Sequence, residues 1–456
     1  MKTYQVKGLL QQKDWLLNPY ITIDSNGKIT DISVIGTYDE YIDGYVLPGF
    51  QNAHSHAFQY VMSGLSEIHG YQSRKNDFWA WRSAMYQVAL SVNPEQLESI
   101  ATMLYVEMLR NGYTSVAEFH YLHHDKKGQR YTNLSELGER LISAAKKAGI
   151  RITLIPIFYQ KGGFGLSAEV HQRRFLSKDV DDYFYLLEAS HESIKLYENA
   201  QMGYGIHSLR AADHVSMERI FKEGPADLPV HLHLAEQLRE VDECINFYGE
   251  RPAQWLLNQD LLNERFHLIH CTHLNFEEVK RIAKSQAKVV LCPATEANLG
   301  DGLFQLKSFQ KKGGKWSIGT DSQINLNPLE EFRILDYGQR TKTHDRAQFT
   351  SKHEVNAGKF AIDMAWHNGR IAMGEKKSNF LTVGDSLDAV IINANTPLIS
   401  VSTPENILTT LVYSGQPNDL LGTLVNGQWL IKKQNHIKQE EIQNSFVKSM
   451  NQMKIR

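Results

Sequence analysis

The sequence predicts an α/β protein: a central (β/α)8 TIM barrel with a small β-sandwich domain built from both chain ends. Between residues 48 and 375, apolar runs of strand length alternate with stretches of helical period. Polar side chains follow several of these runs, which is typical of the carboxyl ends of barrel strands. Short strand-like runs occupy both chain ends. We therefore predict β-sandwich segments at 1–47 and 376–456, and a barrel at 48–375.

Composition limits the classes of partner. The chain has 456 residues and a formal net charge of −2, without a dense block of lysine and arginine, so neither nucleic acid nor an anionic membrane is expected as a partner. Three cysteines do not make a disulfide framework in so long a chain. The first residues lack the apolar segment and cleavage site of a signal peptide, and no apolar run is long enough to span a membrane. We expect a cytoplasmic globular protein.

The β-sandwich domain is predicted from similar features at the two ends. Near the start, strand-like residues 4–10 and 20–24 are followed by Asn26-Gly27, a strong hairpin signal. Near the end, an apolar strand at 389–392 precedes a second such turn, Asn426-Gly427. We expect strands from both ends to pair into one domain.

Two helices of the barrel region have clear start signals. Asn93 is a typical N-cap, Pro94 suits a first helical turn, and apolar residues recur at helical spacing until Gly112. A second helix is predicted after Asn275, because Glu278 completes a capping-box pattern. With the helices placed between them, the predicted barrel strands are 45–50, 114–119, 150–155, 203–206, 229–234, 267–269, 288–291 and 316–318.

Residues at the strand ends predict a metal site. Alternation along a strand puts His54 and His56 on one face. His233 lies at the end of the fifth predicted strand and Asp321 follows the eighth, so the barrel supplies a His3Asp set with room for a water molecule. Glu236, three residues past a ligand, is suited to move the proton of that water, whose pKa the metal lowers.

Other histidines have a structural interpretation. His231 and His267 are expected to fill the barrel or to form hydrogen bonds inside it. The cluster of His120, His123 and His124 has no flanking pattern that separates a second metal site from a polar loop, so it is left unassigned.

Longer motifs around these residues carry a resemblance. They are HSHAFQ at 54–59, FWAWR at 78–82, YTSVAEFHYLHHD at 113–125, GIHSLR at 205–210, HLAEQ at 233–237 and CPATEANLGDG at 292–302. With GTDS at 319–322, they resemble the amidohydrolase superfamily in its single-metal deaminase branch and, within it, the family of bacterial formimidoylglutamate deiminases. The resemblance covers nearly the whole chain. The metal motifs are typical of the superfamily, whereas 113–125 and 292–302 indicate the narrower family.

The resemblance implies a barrel of the metal-dependent hydrolase type and an activity. The reaction would convert N-formimidoyl-L-glutamate and water to N-formyl-L-glutamate and ammonia in histidine degradation, in a homodimer with one Zn²⁺ per subunit. Glu236 would carry the proton of the zinc-bound water to the departing nitrogen, and His270 would stabilise charge beside the attacked carbon. Asp321 is a further candidate acceptor of that proton. By the same resemblance, the metal ligands would be His54, His56, His233 and Asp321, and the substrate site would be lined by Gln59, Arg82, Tyr121, His207 and Arg210.

Arg82 and Arg210 suit a dicarboxylate, because guanidinium forms planar bidentate hydrogen bonds with carboxylate. The alternative for Arg82 is that it stacks on neighbouring tryptophans and faces solvent. A second function remains open, a related deaminase acting on a cyclic amidine such as guanine or another purine. A third is an amidohydrolase-like scaffold that binds without catalysis, against which the complete set of catalytic residues argues.

Overall fold

The structure, a computed structural model, describes residues 1–67, 78–375 and 379–454, and the side chains of 78–80 lie outside that description. Of the FWAWR motif, Trp81 and Arg82 are therefore the described side chains. No helix in these ranges is both long enough and apolar enough to cross a membrane.

The strands of the described residues are given in chain order. They are β1 (Lys2–Leu10), β2 (Trp15–Leu17), β3 (Tyr20–Ile23), β4 (Ile29–Ser33), β5 (Glu40–Pro48), β6 (Phe50–Ser55), β7 (Tyr113–His120), β8 (Arg151–Phe158), β9 (Lys161–Gly163), β10 (Leu166–Ser167), β11 (Ala200–Met202), β12 (Tyr204–Ser208), β13 (Val230–Leu234), β14 (Phe266–His270), β15 (Lys288–Leu291), β16 (Trp316–Ile318), β17 (Ala389–Asn393), β18 (Leu420–Val425), β19 (Gln428–Lys432) and β20 (Asn435–His436).

The helices of the same ranges lie mainly between the barrel strands. They are α1 (Phe78–Ser91), α2 (Pro94–Arg110), α3 (Glu136–Ala148), α4 (Val180–Ile194), α5 (His214–Glu223), α6 (Leu238–Tyr248), α7 (Pro252–Asn258), α8 (Phe276–Ser285), α9 (Pro293–Leu299), α10 (Leu306–Lys311), α11 (Pro328–Thr343), α12 (Ala357–Ala372), α13 (Pro397–Ser400), α14 (Ile407–Ser414) and α15 (Gln439–Met453), with 3₁₀ turns at Ala57–Met62, Val170–Gln172 and Pro417–Asp419.

Eight parallel strands of the described chain form the central sheet, in the order β6-β7-β8-β12-β13-β14-β15-β16. The two edges of this sheet meet where Ser55 and Asp321 form a parallel bridge. There the backbone N–H groups of Thr320 and Asp321 both donate to the His54 carbonyl at 3.0 Å. The sheet therefore closes, and the predicted (β/α)8 barrel is confirmed.

Strands from both chain ends form a second sheet, as the sequence predicts. Its order is β20-β19-β18-β17-β5-β1-β3-β4, with β2 paired to β1. The C-terminal strand β17 pairs antiparallel with β5 from the N-terminal segment, and both Asn-Gly turns join antiparallel neighbours. The division of the chain at residues 47 and 375 stays a prediction.

The predicted first barrel strand, 45–50, is wrong in its bounds. The apolar run is shared between two sheets: β5 ends at Pro48 in the β domain, and β6 begins the barrel at Phe50. Gly49 makes the transition, because a Cβ atom at this position would lie 2.1 Å from the side chain of Thr114. A continuous apolar run does not reveal such a change of sheet.

The two predicted helix starts are confirmed. Asn93 accepts a hydrogen bond from the Gln96 backbone N–H at 2.8 Å, and the Gln96 side chain accepts in return from the Asn93 N–H. Asn275 and Glu278 form the same reciprocal pair at the start of α8. These capping boxes satisfy backbone donors that the first turn of a helix leaves unpaired.

Candidate metal centre and active site

Four predicted ligands converge at the carboxyl end of the barrel. His54 and His56 lie at the end of β6, His233 lies in β13, and Asp321 follows β16. Their ligand atoms all lie within 4.8 Å of one another. Asp321 Oδ1 is 3.2 Å from Nε2 of both His54 and His56, and Nε2 of His233 is 3.2 Å from Nε2 of His54. All four side chains are buried.

Hydrogen bonds from the outer nitrogens orient two of these rings. His56 Nδ1 lies 3.0 Å from the Phe119 carbonyl, and His233 Nδ1 lies 2.9 Å from the His207 carbonyl. A carbonyl only accepts, so each Nδ1 is the donor and each Nε2 presents a lone pair to the cluster. Such an outer partner is typical of metal-binding histidines.

The charge states also fit a metal. Burial, together with the nearby His56, lowers the pKa of His54 to about 3, and burial lowers the pKa of His233 well below its usual value. Burial acts to raise the pKa of Asp321, but the neighbouring rings of His54 and His56 hold it well below its usual value. Neutral imidazoles and an ionised carboxylate are the forms that bind a metal ion, so the donor set fits zinc.

Glu236 and His270 lie beside the four ligands. His270 Nε2 is 3.9 Å from Glu236 Oε1 and 3.9 Å from Asp321 Oδ2, while its Nδ1 is 3.3 Å from Glu296 Oε1. Although burial opposes it, the carboxylates of Glu236, Glu296 and Asp321 raise the pKa of His270 to about 10. Burial raises the pKa of Glu236, and the charges of His270 and Arg210 oppose that rise. A carboxyl group in this environment is suited to hold and release a proton.

Left-handed backbone conformations cluster at these strand ends. The φ angles are 50° at Ala235, 69° at His270, 55° at Cys271, 46° at Asp321 and 65° at Gln323. Conformations of this kind cost free energy in residues other than glycine and persist where the surroundings enforce them. Here the buried Glu240 carboxylate accepts from the N–H groups of Ala235 and Glu236, at 3.2 and 3.1 Å, and so holds the turn that carries Glu236.

The predicted substrate-site residues contact one another, a candidate ligand or Glu236. The Gln59 side chain donates to the Tyr121 hydroxyl at 2.9 Å. The His207 ring is centred 5.5 Å from that of Tyr121 and 4.8 Å from that of ligand His233. Arg210 is buried, with Nη2 3.8 Å from Glu236 Oε2.

Arg82 belongs to the same region. Its guanidinium lies 5.2 Å from the centre of the Tyr86 ring, and the side chain is partly buried. Burial lowers the pKa of His207 well below its usual value, and the positive charges of Arg210 and Arg82 lower it further. Both arginines therefore lie near one imidazole that is next to the candidate metal ligands.

Comparison with known proteins identifies the family. A model of the amidohydrolase family matches residues 45–430. This chain belongs to the amidohydrolase family. It is similar to a formimidoylglutamate deiminase of Pseudomonas aeruginosa, at 37% identity over 447 residues that cover 97% of this chain and 98% of the relative. Members of the family are metal-dependent, so this amidohydrolase is a hydrolase with a His3Asp group fitted to a metal ion.

Two solved structures resemble this amidohydrolase along its whole length. One is an amidohydrolase from Brucella melitensis, with a TM-score of 0.93 and 37% identity over 99% of this chain and 100% of that chain. The other is an adenosine deaminase from Xanthomonas campestris with bound zinc, with a TM-score of 0.80 and 18% identity over 100% and 98% of the two chains. At that identity the second likeness concerns the fold alone.

One residue of the amidohydrolase site was missed from the sequence. Glu118, buried in β7, accepts hydrogen bonds from the Ala57 N–H at 2.6 Å, the Ser55 hydroxyl at 2.8 Å and the Tyr105 hydroxyl at 3.1 Å. Burial raises the pKa of Glu118 to about 7, against these donors. It fixes the backbone on both sides of His56. A glutamate within the apolar run of β7 was the available signal.

Other polar residues are structural. His123 Nε2 lies 2.8 Å from the Ile157 carbonyl and His124 Nε2 lies 2.7 Å from the Leu176 carbonyl. His231 Nε2 lies 2.8 Å from the Ala372 carbonyl, and its ring stacks on His267 with centroids 4.9 Å apart. These contacts agree with the structural interpretation of His231 and His267.

Proposed function

We propose that this amidohydrolase hydrolyses N-formimidoyl-L-glutamate to N-formyl-L-glutamate and ammonia. The observation that carries the proposal is the pair Arg82 and Arg210. Arg210 lies 3.8 Å from Glu236, and Arg82 packs on Tyr86, which shares the Gln172 amide with Tyr159 beside His207. Two guanidinium groups next to a hydrolytic centre suit a substrate with two carboxylates and one amidine. The likeness to the Pseudomonas aeruginosa formimidoylglutamate deiminase supports the same substrate.

His54, His56, His233 and Asp321 hold one zinc ion per subunit in this proposal. The ion would supply Lewis-acid chemistry that lowers the pKa of a water molecule towards neutrality. The hydrogen bonds of His56 and His233 to the Phe119 and His207 carbonyls would keep Nε2 of each ring directed at the ion.

Glu236 moves the proton. It takes a proton from the attacking water as the C–O bond forms at the formimidoyl carbon, and gives it to the terminal nitrogen as that C–N bond breaks and ammonia leaves. His270, 3.9 Å from both Glu236 and Asp321, stabilises charge that develops at the attacked carbon. Asp321 is a second acceptor for a proton of the water.

Each arginine binds one carboxylate. Arg210 lies 3.8 Å from Glu236 and so suits the α-carboxylate, which is attached next to the reacting amidine. Arg82, on α1, then takes the side-chain carboxylate. Gln59, Tyr121 and His207 add single hydrogen bonds. In the cell, the proposal assigns the reaction to histidine degradation in the cytoplasm, carried out by a homodimer.

The test measures ammonia release from N-formimidoyl-L-glutamate by purified protein of measured zinc content, with N-formyl-L-glutamate identified as the co-product. Glu236→Gln is expected to lower kcat by about 10²- to 10⁴-fold, because it removes the proton carrier, while zinc content is unchanged. Glu243→Gln, at a partly exposed glutamate of α6 paired with Arg239, is the control and is expected to behave as wild type. Zinc-loaded wild-type protein that releases no ammonia would contradict the proposal.

A further inference from the structure

Three side chains that the sequence did not predict, those of Tyr86, Tyr159 and Gln172, are joined by hydrogen bonds next to Arg82. We refer to these three side chains as the wall. Tyr86 lies on α1, Tyr159 directly follows β8, and Gln172 ends the 3₁₀ turn Val170–Gln172. All three are buried. The Tyr159 ring is centred 4.9 Å from that of His207, whose carbonyl holds ligand His233. The wall is therefore one aromatic ring away from the metal ligands.

The orientation of the Gln172 amide is fixed by the backbone. Its Oε1 accepts from the Glu169 N–H at 2.8 Å, so the amide nitrogen is on the opposite side. That nitrogen lies 2.9 Å from the Tyr159 hydroxyl and 3.2 Å from the Tyr86 hydroxyl. An amide nitrogen has two hydrogens and no acceptor capacity, so Gln172 donates to both phenol oxygens.

This arrangement fixes the role of the phenols. Each phenol oxygen accepts from Gln172 and keeps its own hydrogen to donate. Neither can donate to Arg82, because guanidinium carries donors only. If Tyr86 donates to Tyr159, the hydrogen of Tyr159 still needs an acceptor. Burial and the neighbouring Tyr159 raise the pKa of Tyr86, so its proton stays in place at neutral pH.

We propose that Tyr159, oriented by Gln172, is a specificity-determining residue that donates a hydrogen bond to the side-chain carboxylate of the substrate beside Arg82. This inference rests on the proposed function. A carboxylate offers acceptors to every group of this wall, whereas a carboxamide of the same shape turns an NH₂ group towards donors. The enzyme would therefore discriminate against the neutral amide at that end of the substrate.

The first test compares Tyr159→Phe with wild type on N-formimidoyl-L-glutamate and on N-formimidoyl-L-glutamine. Losing a hydrogen bond to a charged group should raise KM for the glutamate derivative about 10- to 100-fold, with kcat within about twofold. On the glutamine derivative, which lacks the side-chain carboxylate, Tyr159→Phe should change KM less than threefold, roughly the scatter of such effects. Tyr197→Phe, a buried tyrosine whose hydroxyl accepts from Asn199 at 3.2 Å, is the matched control.

The second test reverses the hydrogen-bond direction. In Gln172→Glu, an oxygen replaces the donor nitrogen, so both phenol hydrogens are expected to turn towards residue 172 and away from the substrate. KM for the glutamate derivative should rise at least as much as in Tyr159→Phe, with kcat retained. A loss of kcat at unchanged KM in either variant would overturn the proposal, as would equal KM penalties on the two substrates.

A binding measurement separates this proposal from the proposed function. The affinity of each protein for N-formyl-L-glutamate and N-formyl-L-glutamine is measured by calorimetry, which needs no turnover. If Tyr159→Phe weakens only the glutamate ligand, the carboxylate contact stands even if wild-type protein releases no ammonia. If ammonia is released but Tyr159→Phe binds both ligands as wild type does, the Tyr159 assignment fails and the proposed function remains.

Discussion

Glu118 is not among the predicted metal ligands or substrate-binding residues, but its hydrogen bonds determine the position of His56. Its carboxylate accepts from Ala57, Ser55 and Tyr105, and these bonds hold the chain on both sides of His56. Two carboxylate oxygens are needed for three donors, and a carboxamide would present hydrogens to some of them.

We expect Glu118→Gln to weaken zinc binding at least tenfold, because misplaced supporting residues typically cost 10- to 100-fold in metal affinity. The measurement is zinc affinity by chelator competition. Glu331→Gln is the control: Glu331 is equally buried and accepts from Ala294 and Asn325, both at 2.9 Å, but does not hold a ligand segment. Equal loss of zinc affinity in both variants would show that Glu118 acts only through general stability.

The sequence identified residues whose neighbours in the chain carry a pattern. His54, His56, His233 and Asp321 follow or end apolar runs, so their convergence could be predicted from barrel geometry. Gln172 and Tyr159 have no such pattern, because their contact joins a strand end to a turn in the following connection. A contact of this kind depends on how separate segments pack together, and it leaves no periodic pattern in the sequence.

At the scale of elements, helix α1 carries Arg82 and Tyr86 and needs a fixed position. Arg174, fully buried, donates to the Ala89 carbonyl and, at 2.8 Å, to the Val92 carbonyl at the end of this helix, and through Nε to the His124 carbonyl. Burial lowers the pKa of Arg174, while the helix end offers partial negative charge to the guanidinium. Arg174 thus joins α1 to the segment that follows β7.

Arg174→Met is therefore expected to raise KM for N-formimidoyl-L-glutamate by about tenfold or more. The substitution removes the hydrogen bonds that hold the end of α1, so Arg82 is displaced. A displacement of about 1 Å in a substrate-positioning residue has effects of this size or larger. Steady-state kinetics on both arginine variants test it. Arg333→Met is the matched control, since Arg333 donates to the Gly415 carbonyl at 2.9 Å at the end of α14. A similar rise in KM in the control would argue against a specific role for Arg174.

Most helices and strands could be predicted from hydrophobic periodicity and helix-capping residues. The wrong bounds of the first barrel strand have a physical reason. The strand at 288–291 and the starts of α2 and α8 match the structure because alternation and capping are local properties. The first barrel strand does not match its predicted bounds, because the run from Tyr45 to Phe50 belongs to two different sheets. Only Gly49 marks the junction between them.

At the scale of the molecule, the candidate metal ligands lie where the two edges of the barrel sheet meet. His54 lies in β6, His56 directly follows this strand, and Asp321 follows β16; β6 and β16 close the barrel at the Ser55–Asp321 bridge. Without the ion, buried histidine rings surround an ionised carboxylate at the point of closure.

We expect chelation to lower the melting temperature by roughly 5 to 15 °C, because an ion that binds only the folded state stabilises it by mass action. Differential scanning calorimetry measures the shift, which zinc should reverse and magnesium should not, since magnesium prefers oxygen ligands. Asp321→Asn should show a smaller shift on adding zinc. An unchanged melting temperature in chelated wild-type protein would be evidence against a metal at the closure.

The central claim is that two arginines make a hydrolytic metal centre specific for a dicarboxylate amidine. The most direct test is kcat/KM of the zinc-loaded enzyme for N-formimidoyl-L-glutamate, compared with guanine and 5-methylthioadenosine. The expected ratio is at least about 10⁴ in favour of N-formimidoyl-L-glutamate, because buried charged groups left without their partners are costly. Faster ammonia release from either purine would contradict the claim and assign this site to a cyclic amidine.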